Sequence, residues 1–85
     1  MNLAVPGVER LWQHIQRLPQ REIRMADVYA LGPVLHMKPV AIRQGMMLLE
    51  KADKLVRIYR GVYITMETYT AHPGLYRAEG TAWRS

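Results

Sequence analysis

Apolar positions along the chain change their spacing several times, and each spacing predicts an element. In "VERLWQHIQRLP", Val8, Leu11, Trp12, Ile15 and Leu18 fall on one face of a helix. Pro6-Gly7 marks its start, and Pro19 stops it by disfavouring helix in the residue before it. In "REIRM", Ile23 and Met25 alternate with arginines, which suits a short edge strand. Met25, Val28 and Leu31 then form a brief helical stripe, with Asp27 in the first turn, where the helix dipole favours an acid. Gly32-Pro33 is expected to end that helix, with "VLHM" as the connection. The third helix is "KPVAIRQGMMLLEKAD", residues 38–53, with Pro39 at its first position. Ile42, Met46 and Leu49 repeat as its inward stripe, with Ala52 one turn on. Gly45 costs this helix roughly 1 kcal/mol against alanine. It is expected to admit close approach of the second helix.

The period then drops to two. "LVRIYRGVYIT", residues 55–65, reads as two strands joined near Arg60-Gly61. A three-residue loop, Arg60-Gly61-Val62, would pair Ile58 with Ile64 and Val56 with Met66 on one face. Arg57, Tyr59, Tyr63 and Thr65 would share the other. A two-residue loop would set Arg57 opposite Ile64 and mix the faces, so the longer loop is expected. An isolated hairpin is marginal in water, so this one must lean on the helices. Residues 67–85 show no sustained period. They form a C-terminal tail, ordered in part or docked on a partner subunit through Tyr69, Leu75, Tyr76 and Trp83.

Eighty-five residues make one small domain, in which dimerisation often supplies missing burial. There is no cysteine, which removes disulfides, thiolate zinc sites and a cysteine nucleophile together. No apolar stretch approaches the roughly 20 residues of a membrane helix. "MNLAVPGVER" lacks the marks of a secretory signal, so a cytoplasmic location is expected. The net charge of +5 is uneven. Residues 37–60 hold six bases (Lys38, Arg43, Lys51, Lys54, Arg57, Arg60) against two acids (Glu50, Asp53). A polyanion would be met there, although a merely solvated basic face has the same composition.

Helix, short strand, helix, turn, helix, hairpin is the element order of a winged helix-turn-helix, an α+β fold of three helices with a short strand and a C-terminal β-hairpin wing. The stretch "AIRQGMMLLEKADKLVRIYRGVYI" is similar to the small winged domains of phage- and plasmid-type regulators. These include the N-terminal domain of type IV antitoxins of the abortive-infection class. Ile42, Arg43, Gln44, Gly45, Met46 and Leu49 match the helix part of that pattern. Val56, Arg57, Arg60, Gly61, Val62 and Tyr63 match the wing. Two positions depart from it. Lys38 replaces the usual serine or threonine cap, and Asp53-Lys54 replaces the usual glycine after the helix. The resemblance covers about residues 8–65 and implies a domain over 1–66.

On that frame the third helix is the candidate reader of the major groove, which is wide enough to admit a helix. Val40, Arg43, Gln44, Met47 and Lys51 should point outward. Arg43 can grip guanine at O6 and N7, Gln44 can grip adenine at N6 and N7, and Met47 or Val40 can touch a thymine methyl. Lys38, at the positive end of the helix dipole, makes sense if a phosphate arrives there. Arg60 at the wing tip and Arg57 beside it would supply the second contact. Lys54, with Arg21 or Arg24, would add backbone contacts. Arg24 can instead pair with Asp27. The geometry requires Arg43 and Arg60 to face the same side.

Catalysis is not expected. Ser85 is the only serine, His14, His36 and His72 lie at no metal-ligand spacing, and no glycine-rich phosphate loop exists. His14 is expected on the polar side of the first helix and His36 in a turn. No cofactor is implied. The expected function is sequence-preferring binding of double-stranded DNA. The protein would be a small transcriptional repressor or regulator of a phage, plasmid or other mobile element, acting as a homodimer through the first helix and the tail. The alternative is a winged-helix adaptor between proteins, or a phage-encoded inhibitor of a host protein. The apolar content of the reading helix (Val40, Met47, Leu48) favours that alternative.

Overall fold

A computed structural model describes residues 7–76. These form an α+β domain with five helices and one three-stranded antiparallel sheet. In chain order the elements are α1 (Val8–Arg17), β1 (Ile23–Arg24), α2 (Met25–Ala30), α3 (Gly32–Leu35), α4 (Pro39–Lys51), β2 (Leu55–Tyr59), β3 (Val62–Thr65) and α5 (Met66–Ala71). The strand order is β1-β3-β2, so β1 is an edge strand, as its alternating pattern implies.

The amphipathic stripe of α1 buries Val8, Leu11 and Ile15 against α4, whose own stripe buries Ile42, Met46 and Leu49. Val28 of α2, Leu35 of α3, and Ile23, Leu55 and Tyr63 on the inner face of the sheet complete this core. Gly45 sits where α1 crosses α4. A β-carbon there would lie 2.9 Å from Leu11 Cδ2 and 3.5 Å from Val8 Cγ2. The close approach expected at this glycine is therefore real, but its partner is the first helix and not the second. α2 also packs against α4, but the atoms nearest a β-carbon at Gly45 come from α1 and Met37.

Three boundaries differ from those the sequence suggests. Gly32-Pro33 does not merely end a helix. It opens a further single turn, α3, with Pro33 in the first turn, where its missing N–H costs nothing. Val34 and Leu35 are therefore helical, and only His36 to Lys38 connect to α4. Second, α4 closes at Lys51, leaving Ala52 exposed and outside the inward stripe. Asp53 adopts the left-handed conformation (φ 59°). An aspartate thus occupies the backbone state usual for glycine after a helix. Third, Met66–Ala71 forms α5, capped by Thr65, whose hydroxyl accepts from the Thr68 N–H at 3.1 Å.

The hairpin register also differs. Tyr59 pairs with Val62, so the loop is the two residues Arg60-Gly61, with Gly61 at φ 74°. A bulge at Ile58 then shifts the ladder, setting Arg57 opposite Tyr63 and Val56 opposite Ile64. Ile58–Ile64 and Val56–Met66 pairs do not form. The extra residue restores the separation of faces that an unbroken two-residue hairpin would lose. Val56, Ile58 and Ile64 make a second, outer cluster, covered by Met66, Tyr69 and Tyr76. Tyr69 and Tyr76 therefore pack against this chain's own sheet, where the sequence suggests a partner's surface. Leu75 is exposed, and Trp83 lies outside the described residues.

Candidate nucleic-acid interface

Helix α4 starts at Lys38, an N-cap in extended conformation with no side-chain cap bond. Pro39 and the Ile42 N–H bond to the Lys38 carbonyl, 3.0 Å, set the first turn. The inward stripe being filled, Val40, Arg43, Gln44, Met47 and Lys51 are all exposed, as expected. Leu48 is half-buried. Val40 and Met47 keep 62% and 47% of their surface in solvent.

Between α2, α4 and the hairpin lies a groove of about 390 Å³. Buried Met46 and Tyr63 form its floor. Arg43, Met47 and Glu50 border it from α4, Met25 and Tyr29 from α2, and Arg57 from β2. Arg57 comes to this position because the bulge at Ile58 sets it opposite Tyr63, on the inner face of the sheet beyond the core. Burial raises the Tyr63 phenol above its usual range. The Glu50 carboxylate pushes in the same direction, while Arg57 pulls against it.

The expected site residues divide into four sets. Arg43, Met47 and Arg57 share the groove. Lys38, Val40, Gln44 and Lys51 are exposed on α4 without lining it. Lys54 lies in a separate concavity of about 470 Å³ with Trp12, Leu18, Arg21 and Glu67. Arg60 is exposed at the hairpin tip, where the Met25 N–H donates to the Gly61 carbonyl at 2.9 Å. The tip is thereby held against the start of α2. Arg24 comes within 3.9 Å of Glu22, not of Asp27, and both partners are too exposed for the pair to add much stability. His14, half-buried on α1, donates through its ring to the Arg10 carbonyl at 3.1 Å, and His36 ends α3.

No protein-family model matches the chain, and no curated protein or solved structure matches it.

Sequence reasoning missed Tyr29, Glu50 and Tyr63 as groove residues. Glu50 follows Arg43 by two helical turns, so the same stripe that carries Arg43 and Met47 carries it. That signal was present, but only the position of the hairpin shows which side of α4 is concave. Among the described residues, no group of His, Cys, Asp and Glu side chains is arranged to hold a metal ion. No helix among them is long and apolar enough to cross a membrane.

Proposed function

We propose that this chain is a winged helix-turn-helix protein that binds double-stranded DNA with sequence preference. It would act in the cytoplasm as a transcriptional regulator of a phage, plasmid or other mobile element. The observation that carries this reading is the shared groove: Arg43 from the candidate reading helix and Arg57 from the hairpin border one concavity. A duplex laid on α4 would turn base edges toward the helix side of this groove and bring a flanking phosphate strand to its hairpin side. Two guanidinium groups there offer charge-assisted bonds to phosphate oxygens, or to a guanine edge from Arg43. The strand order β1-β3-β2 supports the same fold, because it seats the hairpin beside β1 and ties its tip to α2. One such module covers little DNA, so a homodimer on an inverted repeat is the expected working unit.

Selection from random duplexes at two salt concentrations tests this. An enriched motif is expected, together with a steep loss of affinity at higher salt. The double variant Arg43→Ala/Arg57→Ala should reduce the slope of log affinity against log salt by about 0.9 for each phosphate it no longer neutralises. Absence of duplex binding even at low salt would refute the reading.

A second reading, a protein–protein adaptor, draws on the exposed Val34, Val40, Met47 and Tyr59. Under it, Met47→Asp should abolish partner binding, while the double arginine variant should leave it nearly intact.

A further inference from the structure

The groove contains one group that a pure phosphate-binding site would not. Glu50 is half-buried, on the same stripe of α4 as Arg43 and Met47 and across from Arg57. Among the described residues no ion pair within 4.0 Å joins it to either arginine. Glu50 thus lines the groove with acceptor capacity that the arginines do not use up. Toward a passing phosphate it is repulsive. Only a hydrogen-bond donor turns its position to advantage.

The major-groove edge of a base pair offers such a donor. Cytosine presents its N4 amino group there, and a carboxylate is the side-chain group that accepts from it. Arg43 and Glu50 lie two turns apart on α4, about 10 Å along the axis, the rise of about three base-pair steps. Resting on the DNA-binding reading above, we propose that Glu50 is a specificity residue of this groove: it accepts from cytosine N4 in the site and weakens binding to every duplex that lacks a cytosine there. Arg43 supplies attraction and Met47 an apolar contact. Glu50 supplies the discrimination, at some expense in overall affinity.

The test is a parallel selection from random duplexes with the wild-type protein, Glu50→Ala and Glu50→Gln, each first checked for a wild-type thermal transition. The wild type should enrich cytosine at one position by about tenfold, the discrimination expected of a good base contact. Glu50→Ala should lose preference at that position alone and bind non-cognate duplex more tightly. Glu50→Gln should move the preference toward adenine, whose N6 and N7 suit an amide. If the alanine variant fails to fold, the isosteric glutamine variant decides the matter. The same motif from all three proteins overturns the role of Glu50 and leaves DNA binding standing. No motif and no duplex binding from any of them defeats both.

Discussion

Substituting Gly45 probes the packing on which the whole domain depends. Alanine at this position should gain about 1 kcal/mol of helix propensity. Its β-carbon, however, would lie 2.9 Å from Leu11 Cδ2, well inside the 3.5–4.0 Å that carbon atoms prefer. Leu11 has none of its surface exposed, so its methyl cannot swing into solvent. Overpacking of this kind costs about 1–3 kcal/mol. The two effects oppose, and the steric one wins. Gly45→Ala should lose about 1 kcal/mol net, which for a domain of this size lowers Tm by roughly 4–8 °C. Gly45→Leu adds three more carbons at the same crossing and should remove most of the stability. Urea unfolding followed by circular dichroism measures both, with an unchanged m-value showing that the denatured state is not responsible. A double-mutant cycle sharpens the result. Leu11→Val retracts the offending methyl, so in that background Gly45→Ala should be neutral or stabilising, a coupling of about 1–2 kcal/mol. An alanine variant that is more stable than wild type, or a leucine variant that melts with it, would refute the α1–α4 packing.

Two further predictions concern single side chains. Folding raises the Tyr63 phenol above its ordinary pKa of 10.0. The neutral form therefore contributes stability that is fully present below the unfolded value and is lost as pH rises through the folded one. Tyr63→Phe should push the alkaline limb of the stability profile to higher pH, and the Tyr63 contribution to an ultraviolet titration, read as wild type minus Tyr63→Phe, should lie above the ordinary tyrosine range. His36, exposed at φ 54°, occupies backbone space that suits glycine. His36→Gly should stabilise by about 0.5–1 kcal/mol, the relief of the left-handed conformation less the entropy of the freer chain. Unchanged or reduced stability by urea unfolding would count against a strained turn there.

Much of this architecture was legible because long elements carry redundant signals. The α1 stripe repeats over three turns between a glycine and a proline, and α4 adds a proline start to its own. The short elements were not legible, for identifiable reasons. Gly32-Pro33 signals a helix stop and a helix start equally well, and six residues of α5 are too few for a period to emerge. The cap that starts α5, Thr65, also has the β-branched shape of a strand residue, so its pattern points to the hairpin alone. The hairpin loop could not be read because a two-residue turn with a bulge and a plain three-residue turn segregate the same side chains. The candidate site was legible residue by residue on α4, where exposure followed from the inward stripe. Its concave side was not, since that depends on where Arg57 and Tyr63 arrive from another part of the chain.

The bulge at Ile58 also bears on what could add to the sheet. Among the described residues β2 is an outer margin of the sheet, and a regular strand at such a margin invites another strand to zip alongside. One surplus residue breaks the repeat within a five-residue border, so an incoming strand would fall out of step almost at once. Growth by backbone pairing is discouraged at this margin, and any association of copies would have to run through side-chain surfaces, where it can stop at a closed, countable number.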